Sequence, residues 1–191
     1  MRSHTLSVSP YSFSILLLGL AACTCSKKQP SSEQPAPSAS VVTVEVALGA
    51  CDDVGACASE CDAGSGDRCR RLAVNYALAQ GVEQDQARAT ALYDRACELK
   101  DAPACVFSGQ MHEYGHGVAK DAAVAERAYE RACDLRWPAG CYNVAIMLEE
   151  GRGVPRDRAR AADLYQTACT AGAQQACERA KALHEEDASR D

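Results

Sequence analysis

The 191-residue sequence predicts an all-α protein, a solenoid of helix-turn-helix repeats with one disulfide per repeat. A cysteine ladder is the first observation behind that reading: Cys61, Cys97, Cys133 and Cys169 stand 36 residues apart, and Cys69, Cys105, Cys141 and Cys177 follow each of them by eight. The same step also carries Gly81-Val82, Gly117-Val118 and Gly153-Val154; Asp85, Asp121 and Asp157; Ala87, Ala123 and Ala159; Tyr93, Tyr129 and Tyr165; and Ala96, Ala132 and Ala168. Finally, aromatic residues make up only 5% of the chain while alanine and cysteine are abundant, which suits closely packed helices reinforced by covalent staples. A unit this short cannot bury its apolar face alone, so each repeat must stack on its neighbours.

Taken in order, residues 1–22 read as an export signal: Arg2 precedes an apolar run, Ile15 to Ala22, too short to span a bilayer. Leu20-Ala21-Ala22-Cys23 resembles the bacterial lipobox, which implies cleavage before Cys23 and its lipidation. Each buried methylene of an acyl chain contributes about 0.8 kcal/mol, so several chains anchor a protein stably. Thr24, in place of an aspartate, is similar to the sorting pattern for the outer membrane. The expected location is the bacterial cell envelope, as an outer-membrane lipoprotein facing the periplasm or the cell surface. Residues 23–48 are rich in Ser, Pro, Gln and Lys, and Pro30, Pro35 and Pro37 interrupt regular structure, so they read as a disordered tether. Val41 to Val46 alternates weakly like a strand, but a lone strand does not persist.

The body divides into an N-terminal capping half repeat (49–60), repeats at 61–96, 97–132 and 133–168, and a C-terminal capping half repeat with tail (169–191). The spacing predicts helix pairs at 68–79 with 86–99, 103–114 with 122–135, and 138–150 with 158–171. Residues 51–61 and 173–186 occupy the second-helix and first-helix registers of the half units, and the polar end from Glu185 to Asp191 is expected to fray. The glycines of each turn end the first helix where positive φ is easiest, and the aspartate beyond them caps the second. Pro155 sits harmlessly in that connection, the alanines let helices approach, and the tyrosines fill the space between hairpins. Trp137, just before Pro138, reads as a wedge at a helix start.

One cysteine of each rung falls at the end of a second helix and its mate in the first turn of the next. A short loop between antiparallel helices joins those points, which pairs Cys61 with Cys69, Cys97 with Cys105, Cys133 with Cys141 and Cys169 with Cys177. Cys51 with Cys57 would staple the N-terminal cap, leaving Cys25 free or adjacent to the lipid. A zinc cluster prefers close pairs of the C-x-x-C kind, which this chain lacks.

Tyr114-Gly115-His116-Gly117-Val118 with Asp121, Ala125 and Tyr129, echoed by Glu150-Gly151-Arg152-Gly153-Val154 with Asp157, Ala161 and Tyr165, resembles the Sel-one-like repeat, a relative of the tetratricopeptide repeat. The cysteines make it similar to the Helicobacter cysteine-rich protein group, in which each repeat carries a disulfide. The likeness spans Cys51 to His184 and departs in the first repeat, where Ala79 replaces the first glycine of the turn. It implies a right-handed α-superhelix and binding of other proteins or of peptidoglycan-derived fragments. For some members it also implies penicillin binding and weak β-lactamase activity.

The residues themselves do not carry a hydrolase. Ser-x-x-Lys, Ser-Asp-Asn and Lys-Thr-Gly are all missing from the sequence. His112-Glu113-Tyr114-Gly115-His116 matches the H-E-x-x-H pattern of zinc proteases, yet its histidines align with Tyr76 and Leu148 and with Gln80 and Arg152 of the other repeats, so they occupy variable slots around a turn. No cofactor or metal is expected. A net charge of -6, with no basic stripe, argues against nucleic acid, and a monomer is expected. By analogy with tetratricopeptide arrays, a concave groove would present Arg70, Arg71 and Val74, then Val106, Phe107 and Gln110, then Tyr142, Asn143 and Ile146, with Phe107 and Tyr142 as aromatic anchors.

Overall fold

Capping chemistry sets the helix boundaries. In the computed structural model, which describes residues 49–188, the chain forms α1 (Val54–Asp62), α2 (Gly66–Leu78), α3 (Gln86–Glu98), α4 (Ala102–Tyr114), α5 (Ala122–Asp134), α6 (Pro138–Glu150), α7 (Arg158–Thr170) and α8 (Gln174–Ala188). No strand occurs among the described residues. Asp53, Asp85, Asp101, Asp121 and Asp157 stand in extended backbone immediately before their helices, and each side chain accepts the amide three residues on. That bond satisfies one of the four orphan donors of a helix start. The expected signal segment, Cys23, Cys25 and the tether through residue 48 lie outside the described residues.

At the first-helix ends, Gly115 (φ 76°) and Gly151 (φ 70°) take the left-handed conformation as the turn requires. Ala79 is forced into the same conformation at φ 55° and ψ 38°, although its Cβ clashes there with the backbone. Ala79 is exposed, so nothing is lost by trimming it. Ala79→Gly is therefore expected to stabilise the protein by about 1 kcal/mol, read as a raised urea midpoint with unchanged slope. A lowered midpoint would show that the strain is absent.

The connection from each second helix to the next first helix carries its own left-handed residue, and these also keep the repeat step: Gly64 (φ 97°), Lys100 (φ 66°), Arg136 (φ 60°) and Gly172 (φ 100°). Five disulfides close the array, Cys51–Cys57, Cys61–Cys69, Cys97–Cys105, Cys133–Cys141 and Cys169–Cys177. The last four join Cα atoms 4.5 to 4.7 Å apart, each clipping a second helix to the following first helix.

Each helix packs chiefly on its chain neighbours, while α3 touches α5 and α4 touches α6 across the repeats. Tyr93, Tyr129 and Tyr165 are buried between hairpins, as are Ala96, Ala132 and Ala168. The Ala87, Ala123 and Ala159 ladder is instead exposed, and the close helix approach is made by Ala89, Ala125 and Ala161, all fully buried. Two residues turn a helical side chain by about 200°, so the two ladders occupy opposite faces. Trp137 stands at the N-cap position of α6, where its side chain makes no capping bond and packs part-buried against the core, as its place before Pro138 suggested.

Repeats interlock through the turns. The turn after α4 sits on the start of α3: Thr90 Oγ1 donates to the His116 carbonyl at 2.7 Å, and Gly117 lies so close that a Cβ there would stand 2.3 Å from the Gln86 carbonyl carbon. One repeat later Gly153 meets Ala122 in the same way, with a Cβ contact of 2.4 Å.

Candidate functional site

The side chains expected to line a concave groove divide into two groups. Val74, Val106, Tyr142, Asn143 and Ile146 are buried, and Tyr142 sets its ring edge-on to Tyr165 at 5.4 Å instead of standing free as an anchor. Arg70 is also buried, its Nε 3.1 Å from the Asp101 carboxylate that caps α4. The half-exposed remainder is Arg71, Phe107 and Gln110. Arg71 is occupied in holding the incoming chain, donating to the Gly49 carbonyl at 2.8 Å and to that of Ala50 at 3.2 Å, and Phe107 leans on Tyr93 with centroids 5.1 Å apart. The row is largely filled because each first helix packs on the helices next to it in the chain.

Beside it runs a repeated polar clamp. Tyr129 donates to Glu113 at 2.8 Å and Arg152 reaches the same carboxylate at 3.0 Å; one repeat on, Tyr165 donates to Glu149 at 2.9 Å and Arg179 Nε does so at 2.9 Å. The first repeat has Ala77 at the matching position, and Tyr93 has no such carboxylate. Burial raises the phenol pKa of all three tyrosines, Tyr93 to about 12, and the neighbouring glutamates push Tyr129 and Tyr165 further up. An unfolded tyrosine ionises near pH 10, so the unfolded chain releases these protons first. The stability they contribute is complete below about pH 10 and is lost as the pH rises through the folded values. In a spectrophotometric titration these three are expected to ionise only together with cooperative unfolding. Three early, independent ionisations would contradict the burial.

The H-E-x-x-H stretch does not form a metal-binding face. Gly115 ends α4, His116 lies beyond it and gives its carbonyl to Thr90, and Glu113 is held by Tyr129 and Arg152. His112 turns instead toward Asp94, with Nε2 3.2 Å from its carboxylate.

That histidine floors the feature that periodicity did not reveal, an open cleft of about 640 Å³ between two repeats. Its walls are α3, with Asp94 and Glu98, and α5, with Val124, Arg127, Ala128, Glu130, Arg131 and Asp134; Ser108 and His112 of α4 form the floor. The Ser108 hydroxyl donates to Asp94, and His112 does likewise, because an ionised carboxylate can only accept. Ser108 is therefore directed at a carboxylate, not at an imidazole base, and at 3% exposure it is no nucleophile of the Ser-His-Asp kind. What the arrangement can do is bind: the volume is that of a small-ligand or peptide site, and the polar groups converge on it. The sequence signal that could have found it was the pair Ser108 and His112, four apart on one helix face, where the other repeats carry Leu72 and Tyr76 or Val144 and Leu148.

Comparison with known proteins agrees with this architecture. The family model "Sel1 repeat" matches residues 69–101, 102–136 and 138–172. A solved Sel1 repeat protein from Oxalobacter formigenes is 29% identical, covering 68% of this chain and 97% of that one, with a TM-score of 0.62. Cysteine rich protein B of Helicobacter pylori is 26% identical, covering 65% of this chain and 90% of that one, with a TM-score of 0.53. A protective antigen of uropathogenic Escherichia coli, displaying an SLR fold, is 24% identical over 65% of this chain and 27% of its own, with a TM-score of 0.61, and shares the fold alone. No curated protein matches the chain.

Proposed function

We propose, from the premise that this chain belongs to the Sel1 repeat family, that it is an interaction scaffold of the bacterial cell envelope, anchored by a lipid on Cys23 and presenting the α3–α4–α5 cleft to a protein or cell-wall-derived partner. Sel1 repeat proteins generally mediate protein interactions. The observation that carries the reading is the cleft itself, an open cavity of about 640 Å³ framed by helices that disulfides and caps hold rigid. A preformed site loses little conformational freedom on binding, which is what a stapled solenoid supplies. The tether between Cys23 and the first helix would let the body range a few tens of Å from the membrane, at about 5 Å times the square root of its length. A β-lactam hydrolase finds no support at this cleft, since its one buried hydroxyl is committed to Asp94.

A photo-cross-linking residue placed at Arg131 in the full chain tests the reading in cells, with Lys181 on the far end of the array as the control. A discrete adduct from position 131 and none from 181 is expected. No adduct at 131, or identical adducts from both, would remove the cleft as the interaction site. Cys23→Ala is expected to abolish incorporation of labelled fatty acid and release the protein from the membrane fraction; retention with label would sink the anchor.

A further inference from the structure

The α3 wall of the cleft is acidic, whereas its arginines stand on the α5 wall. On α3, Asp94 and Glu98 lie four residues apart and so share one face; on α5, Arg127 and Arg131 do the same. Among the described residues, no ion pair engages Glu98, Arg127 or Arg131, although many of the chain's other charges are paired. The remaining acidic groups of the cleft stand on α5 with the arginines: Glu130, which is tied to Arg160 of α7, and Asp134 at the helix end. Asp94 is held in place by Ser108 and His112, so its carboxylate is a preorganised acceptor that is still 38% exposed. The acidic face of α3 and the Arg127–Arg131 pair of α5 therefore line one cavity without pairing with each other, and Val124 and Ala128 add apolar surface to the α5 wall.

We infer that the cleft takes a zwitterionic short peptide, its ammonium directed to Asp94 and Glu98 and its carboxylate to Arg127 and Arg131. The inference rests on the reading of this cleft as the interaction site. Size agrees: a sphere of about 640 Å³ is about 11 Å across, the span of roughly three residues at 3.3–3.6 Å each. Guanidinium groups match a carboxylate in planar geometry, and a carboxylate already fixed by two donors needs no reorganisation to receive an ammonium. A ligand with only one charged end would satisfy one wall and leave the other facing it unpaired, so both ends contribute to recognition.

Isothermal titration calorimetry on the oxidised full-length protein tests this, using tri-alanine with both ends free, its N-acetyl form and its C-terminal amide. Each blocked form is expected to bind roughly tenfold or more weakly than tri-alanine, the worth of one charge-assisted contact. Arg131→Gln is expected to weaken tri-alanine by a similar factor while leaving the amide unchanged, and Glu98→Gln to weaken it while leaving the N-acetyl form unchanged. Both side chains are exposed, so neither change threatens the fold. Blocked peptides that bind as tightly as tri-alanine would overturn the zwitterion and leave the cleft as an interaction site. No binding of tri-alanine at any attainable concentration would also overturn it, while the cross-link at position 131 independently decides whether the cleft binds a partner at all.

Discussion

Gly117→Ala is expected to destabilise the protein by roughly 3–4 kcal/mol, among the largest effects a single methyl group can produce here. Two costs coincide. At φ 72° an alanine pays the left-handed penalty of about 1–2 kcal/mol, and its Cβ would stand 2.3 Å from Gln86 C and 2.4 Å from Ala87 N. Those are backbone atoms of the preceding repeat and cannot rotate aside, so the repeats must separate, adding an overpacking cost of about 1–3 kcal/mol. The bond from Thr90 to the His116 carbonyl stretches with them. Gly151→Ala is the control: its φ is 70°, but the nearest atom to a new Cβ is Arg156 Cβ at 3.5 Å, an ordinary contact. Urea unfolding of both variants separates the terms, since Gly151→Ala carries only the backbone cost. Equal losses would show that the turn does not bear on the neighbouring repeat.

Reduction of the disulfides is expected to unfold the array at physiological temperature. Each bridge closes a short loop and, in the chain-entropy account, contributes about 2–3 kcal/mol. Five such contributions rival the whole stability of an ordinary domain, about 5–15 kcal/mol. The core cannot compensate, because its buried ladders are mostly alanine and supply little apolar area per residue. Helical circular dichroism followed against temperature, with and without a phosphine reductant, reads the effect. Removing one bridge as Cys97→Ala with Cys105→Ala is expected to lower stability by about 2–3 kcal/mol, with a further loss from the small cavity left at these buried positions. A reduced protein that melts at the temperature of the oxidised one would show the bridges to be ornaments on a self-sufficient fold.

Helix content was legible because its determinants are local. The caps Asp85, Asp121 and Asp157 act on amides three residues away, and the turn glycines act on their own φ, so the 36-residue step alone placed most helix ends within a residue or two. The disulfide partners are likewise neighbours across a short loop. The left-handed series Gly64, Lys100, Arg136 and Gly172 was in reach of the same step but hidden, since two of its four members are not glycine. The alanine ladders show where local reasoning ends. Periodicity marks Ala87 and its mates as repeating, yet only the packing shows that Ala89 and its mates are the buried ones.

The functional face was decided by tertiary structure. Tyr142 reads as an exposed aromatic on a groove, but the second helix of its own hairpin, α7, brings Tyr165 against it. Asp94, His112 and Arg131 lie on three different helices, and nothing in the repeat step relates them. By itself the sequence determined the repeat, the caps, the turns and the staples, because each depends on residues within one hairpin. The cleft and its two charged walls depend on how far one hairpin is displaced and rotated against the next. That offset comes from summed packing contacts, such as the backbone of Gly117 on that of Gln86 and Gly153 on Ala122, which only the folded array brings together.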